Sequence, residues 1–113
     1  MCTRDQLERV LAEVAQRAKE RFGGSLDSML LYGSYARGDA DEESDIDIML
    51  LVKQPAELLA VQRKEWSRFG TDLDLKYNVI TSLQLQEADT FYAWKDTLPF
   101  FRNVASEGVP IHA

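Results

Sequence analysis

Between Gly33 and Asp47 the chain reads Gly-Ser-Tyr-Ala-Arg-Gly-Asp-Ala-Asp-Glu-Glu-Ser-Asp-Ile-Asp. An apolar run, Met29-Leu30-Leu31-Tyr32, leads into Gly33-Ser34. After Tyr35 to Ser44 come Asp45, Ile46 and Asp47, and then a second apolar run, Ile48 to Val52. This pattern predicts a strand that delivers a Gly-Ser turn, followed by a strand that opens with two carboxylates. Residues two apart in a strand project to the same face, so Asp45 and Asp47 stand together. Two like charges at that range repel, and a cation between them removes the conflict. Mg²⁺ is the usual hard, oxygen-seeking cation for such a pair. The Gly-Ser turn supplies the complementary half, because glycine lets a backbone come close to a ligand and a helix start favours phosphate. An anion cradle beside a pair of carboxylates is what the handling of a nucleoside triphosphate requires.

Gly33-Ser34, ten intervening residues and Asp45-x-Asp47, each part at a strand edge, resemble the signature of the DNA polymerase β-type nucleotidyltransferase superfamily. The resemblance is strongest to its minimal nucleotidyltransferase branch and covers most of the chain. It implies an α/β (α+β) fold, a small mixed sheet with helices packed on one side of it. It implies transfer of AMP from ATP to a hydroxyl, with two Mg²⁺ ions as cofactors. Asp45 and Asp47 would then ligate metal, and Gly33 and Ser34 would hold the triphosphate. The family carries a third catalytic acid on a neighbouring strand. Asp72 and Asp74 are the candidates here, and Asp74 is preferred because it lies deeper in its apolar run. In bacteria and archaea, minimal nucleotidyltransferases are often paired with a small helical HEPN protein as a toxin–antitoxin system. The nucleotidyltransferase then attaches AMP to a tyrosine of the HEPN toxin, so a HEPN-type partner is implied. No residue of this chain names the acceptor.

Nucleotidyl transfer needs little covalent help from a protein; it needs the nucleophile held in line and the charge neutralised. Two metal ions about 3.5–4 Å apart can do both. Arg37 follows the Gly-Ser turn at a distance that lets one helical turn return it toward phosphate, or it balances the acidic segment as a surface charge. Lys76 shares a strand face with Asp72 and Asp74 in this pattern; it either neutralises that face or touches a phosphate. Two other functions compete with AMP transfer to a protein. One is modification of a small molecule, such as an antibiotic hydroxyl, against which the small size and lack of an acceptor domain count. The other is a silent nucleotide- or partner-binding module, against which the intact Gly33-Ser34, Asp45 and Asp47 count.

The elements that must position these groups follow from periodicity. Thr3 to Phe22 carries Leu7, Val10, Leu11, Val14, Ala15, Ala18 and Phe22 at helical spacing, opens on a Thr3–Gln6 capping-box pattern and closes at Gly23-Gly24. Strands are predicted over 28–32 and 44–53, with a helical turn at 34–37 ended by Gly38. Ile48 to Val52 is apolar without interruption, which predicts burial on both faces. A second long helix is predicted over 55–69, with Pro55 in its first turn and Gly70 as its end. Thr71 to Thr81 alternates and is expected to form the third strand. Ser82 is expected to cap a helix reaching Trp94, and a short helix over 100–107 precedes an edge segment, Val109-Pro110-Ile111. Alternating helices and strands of this kind argue for α/β or α+β.

At 113 residues, with 45% hydrophobic and 28% charged residues, one domain over residues 1–113 is expected. A net charge of −6 argues against nucleic acid as a partner, since phosphate-backbone binding needs a basic surface. Asp39 to Glu43 is expected to be a solvated acidic loop. No stretch has the roughly 20 apolar residues of a membrane span, and the first residues lack the apolar core of a signal peptide. The lone cysteine, Cys2, fits a reducing, cytoplasmic compartment. The lone His112 is given no catalytic role.

Overall fold

The computed structural model describes residues 2–112. Helix α1, Arg4–Phe22, starts where predicted: the Thr3 hydroxyl accepts from the Gln6 amide at 3.1 Å, and the Gln6 side chain accepts from the Thr3 amide at 2.8 Å. A 3-10 turn, Gly23–Ser25, leads into strand β1, Leu26–Tyr32. Then come the four-residue helix α2, Ser34–Arg37, and strand β2, Ile46–Val52. A long helix α3, Ala56–Tyr77, crosses over to strand β3, Thr81–Glu87. Helices α4, Ala88–Trp94, and α5, Pro99–Glu107, precede the short strand β4, Val109–Pro110.

The sheet order is β3-β2-β1-β4. β1 runs antiparallel to β2 and to β4, while β2 and β3 are parallel, so the sheet is mixed. The uninterrupted apolar run of β2 lies inside the sheet and is buried on both faces, as expected. Ile46, Ile48, Leu50 and Val52 point to the layer of α1 and α3, where Val10, Val14, Phe22, Trp66 and Leu73 complete the larger core. Trp66 stacks on Phe22 with ring centroids 5.7 Å apart. Met49 and Leu51 point the other way, into a smaller core with Tyr32, Ala88, Phe91 and Val104. Helices therefore cover both faces of the sheet, and not one face as the resemblance implied.

The region 70–87 differs most from the sequence expectation. Gly70 does not end α3; it lies inside the helix, where a Cβ would stand 3.0 Å from the Thr81 hydroxyl of β3. Glycine there permits close helix-to-strand packing. The helix continues because Trp66, Phe69, Gly70, Leu73 and Tyr77 keep a helical period toward the core. It ends at Asn78, in the left-handed conformation at φ 55°. Thr71 to Tyr77 is thus helical, and Ser82 belongs to β3 instead of capping a helix.

Candidate active site

Gly33 and Asp47 form the centre of the site. Gly33 follows β1 and has φ 73°, a left-handed value that strains any side chain. A Cβ at Gly33 would collide with Asp47 Oδ2 and stand 3.3 Å from its Cγ. The Gly-Ser turn is therefore laid directly against the second carboxylate, with no side chain between them. Beyond it, the Gly33 carbonyl accepts from the Ala36 amide at 3.1 Å and the Arg37 amide at 3.0 Å, which winds α2. Gly38, also left-handed, stops that turn.

Asp47 is paired in register with Tyr32 and, by strand alternation, points to the α4–α5 side of the sheet. Asp45, one residue before β2, is exposed and lies two positions earlier, on the same side. Burial and then the charge of Asp45 push the Asp47 carboxyl above the ordinary carboxylate range, against a weaker opposing pull from Arg37. The repulsion expected between the two acids is therefore present. Burial, followed by the Asp47 charge, also pushes the Tyr32 phenol up to about 12.

Arg37 lies near enough to Asp47 for its charge to be felt. Its guanidinium meets Asp39 at 3.2 Å and Glu107 of α5 at 3.1 Å. The Glu107 contact, 70 positions away along the chain, carries no local sequence signal. The acids of the loop, Asp39 to Glu43, are exposed as expected, and Asp41 also organises the turn. The Asp41 carboxylate accepts from the Glu43 amide at 2.9 Å, and its own amide donates to the Ser44 hydroxyl at 2.9 Å. This turn sets the chain direction just before Asp45.

The expected third acid is elsewhere. Asp72 and Asp74 sit on α3 and not on a strand. Asp74 Oδ1 accepts from both the amide and the hydroxyl of Thr81 at 2.8 Å. Thr81 is in register with Ile46, whose side chain enters the larger core, so Asp74 serves the sheet face opposite to Asp47. Its role is to lock the end of α3 to the start of β3. Lys76 also leaves the site: it meets Glu13 of α1 at 3.0 Å. The residue that β3 does place beside Asp47 is Ser82. Its signal was the alternation Ser82-Leu83-Gln84-Leu85-Gln86, a strand period hidden behind the expectation of a helix.

Two carboxylates suit a hard divalent cation that also takes phosphate oxygens and water, the usual manner of Mg²⁺. The raised Asp47 carboxyl is the observation that favours this fit, since a cation would relieve both its burial and its repulsion from Asp45. Among the described residues, no group of three or more His, Cys, Asp or Glu comes together as a self-sufficient metal cage.

Known proteins resemble this chain over most of its length. The family described as nucleotidyltransferase domain matches residues 11–110. A Methanocaldococcus jannaschii protein, provisionally named a protein adenylyltransferase, is 33% identical over 101 residues, 89% of this chain and 93% of its own length. Protein adenylyltransferase MntA of Thermococcus cleftensis is 36% identical over 78 residues, 66% of this chain and 77% of its own. A second M. jannaschii protein with the same provisional name is 31% identical over 81 residues, 72% of this chain and 80% of its own.

Proposed function

We propose that this chain, which belongs to the nucleotidyltransferase family, transfers AMP from ATP to a protein hydroxyl, with Mg²⁺ as the metal. Family membership makes it a nucleotidyltransferase that uses a nucleoside triphosphate and a divalent metal; ATP, Mg²⁺ and the acceptor are our reading. The observation that carries it is the approach of Gly33 to the Asp47 carboxylate, which makes the phosphate cradle and the acid pair one site.

In this reaction the acceptor oxygen forms a bond to the α-phosphorus, the bond to the bridging β-phosphate oxygen breaks, and pyrophosphate leaves. The hydroxyl proton passes to water at the open mouth of the site. Gly33 and the first amides of α2 face the triphosphate, and the Ser34 hydroxyl adds a hydrogen bond to it. Arg37 exchanges its exposed partners Asp39 and Glu107 for a phosphate oxygen, a charge-assisted bond of the stronger kind. Asp45 and Asp47 would hold the metal, which would supply charge neutralisation to the reacting and leaving phosphates. Asp74 has no part, since it serves the other face of the sheet.

A protein acceptor is supported by the relatives named protein adenylyltransferases. A tyrosine of a HEPN-type partner, in a toxin–antitoxin pair, is the acceptor that the resemblance to minimal nucleotidyltransferases supports. Residues 1–113 are then one nucleotidyltransferase domain working in the cytoplasm. No described helix is long and apolar enough to cross a membrane. Tyr92, Trp94 and Phe100, each about half exposed on α4 and α5, offer an apolar surface on the Asp47 side, whereas Phe91 is buried in the smaller core. The test is to purify the protein with the product of its neighbouring gene, add ATP and Mg²⁺, and weigh both chains by mass spectrometry. The expected result is a gain of AMP units on the neighbour that Asp47→Asn abolishes. No gain, together with efficient transfer to a small alcohol or aminoglycoside, would replace this reading with the small-molecule one.

A further inference from the structure

Across the parallel β2–β3 pair, Asp47 is in register with Ser82. Registered residues on adjacent strands, about 4.8 Å apart, point to the same face. Ser82 thus stands beside Asp47, at the place from which a third carboxylate would reach the ion between Asp45 and Asp47. The chain has a hydroxyl there. Four other acids do not make up the loss, and of these Glu107 is paired with Arg37 at 3.1 Å. Asp74 is engaged with Thr81 on the opposite face. Glu87 is in register with Val52, at the far end of β3. Asp41 is spent on its own loop turn. No group of three metal-ligating side chains forms among the described residues.

Two ions side by side need more protein oxygen than one pair of carboxylates supplies. We propose that the free protein holds a single divalent cation between Asp45 and Asp47, and that Ser82 is the residue that withholds a second. The acceptor-side ion position is then completed only when the acceptor brings an oxygen of its own. This rests on the nucleotidyl-transfer reading of the site. It also gives that reading a regulatory consequence: full metal loading waits for the docked acceptor, which suppresses transfer to water.

The test counts Mn²⁺ by electron paramagnetic resonance in nucleotide-free protein, for wild type, Asp47→Asn, Ser82→Asp and Ser82→Asn. Wild type and Ser82→Asn are expected to hold one ion that is lost in Asp47→Asn. Ser82→Asp is expected to hold two, with the exchange-coupled spectrum of ions about 3.5–4 Å apart. Ser82→Asp is also expected to melt below Ser82→Asn in metal-free buffer and to gain more from added Mn²⁺, because it places a third like charge on one face. Two ions in wild type would overturn the inference, and that count needs no variant to fold. One ion in a folded Ser82→Asp protein would overturn it too, while leaving the transfer reading intact. No ion in wild type, with Asp47→Asn unchanged, would remove both.

Discussion

Two acidic clusters in this molecule have opposite electrostatics. At the start of β2, Asp45 and Asp47 stand together and the Asp47 carboxyl is pushed up, first by burial and then by its neighbour. Between α1 and α3, Glu13 accepts from the Tyr77 hydroxyl and from Lys76, and its carboxyl is held below the ordinary range, first by the Tyr77 hydrogen bond. Burial raises both acids, but it is the leading cause only at Asp47, the more buried of the two. Company widens the difference: Glu13 has donors and a cation, while Asp47 has another carboxylate, with Arg37 only as a partial offset. A charge that serves the fold is satisfied within the fold. A charge that serves a ligand is left in want of one, and the fold bears the strain.

The sharpest way to break this contrast is Asp47→Asn. Transfer is expected to fall by about 100-fold or more, roughly 3 kcal/mol of barrier, measured with labelled ATP. The melting temperature in metal-free buffer is expected to stay level or rise. The sign follows from proton linkage. A carboxyl raised in the folded state takes up protons on folding, so its contribution is favourable below the unfolded value of 3.8 and is lost as pH rises through the folded value. The advantage of Asp47→Asn should therefore grow with pH from about 4 upward. A variant that melts lower than wild type at pH 7 would show that Asp47 supports the fold after all.

Gly33→Val comes next. The side chain meets Asp47 and an unfavourable φ at once, so triphosphate affinity is expected to drop at least about tenfold, near 1.4 kcal/mol. Gly38→Ala is the comparison, with a similar φ of 84° and no atom within 4 Å of the new Cβ. It should cost about 1–2 kcal/mol of stability and leave nucleotide affinity nearly intact. Equal losses of affinity in the two variants, by calorimetric titration, would mean that backbone strain and not the approach to Asp47 is what matters.

The same contrast explains what could be read in the sequence. The acid pair and the Gly-Ser turn are local: a spacing of two in a strand and a glycine after an apolar run fix their geometry before any tertiary contact. The capping box of Thr3 and Gln6 and the double-sided burial of Ile48 to Val52 were legible for the same reason. The stretch from Gly70 to Ser82 was not, because two periods compete there. Thr71-Asp72-Leu73-Asp74-Leu75 alternates like a strand, yet Trp66, Phe69, Leu73 and Tyr77 share a helical face, and core packing favours the helix. Leu75 shows the outcome, since it is 80% exposed although a buried strand would have hidden it. Gly70 misled because a glycine that ends a helix and one that admits a close strand look alike in sequence. Because β3 starts at Thr81 and not at Thr71, the residue in register with Asp47 is Ser82 and not Asp74.

A smaller effect is expected from Ser34→Ala. Removal of one hydrogen bond to phosphate should weaken triphosphate binding by about 1 kcal/mol, a five-fold change, with no change in the melting temperature. Loss of stability without loss of affinity would assign the hydroxyl to the α2 turn instead.

The smallest expected effect belongs to the satisfied cluster. Glu13→Gln keeps the shape of the side chain and removes the charge that holds Tyr77 and Lys76. Its carboxyl is depressed in the folded state, so its contribution is present above the unfolded value of 4.5 and is lost as pH falls through the folded value. The Lys76 side chain is more than half exposed and Glu13 about a third, so solvent screening holds the charge contribution to about 0.5 kcal/mol. That is a melting-temperature difference of roughly 2–3 °C for a domain of this size. The difference between wild type and Glu13→Gln should be clear at pH 7, shrink in 1 M salt, and diminish as pH falls below the unfolded value of 4.5, with transfer activity unchanged throughout. A gap that persists undiminished at pH 3 would show that Glu13 acts through packing and hydrogen-bond geometry alone. The two acidic clusters would then differ in position but not in the way their charges are used.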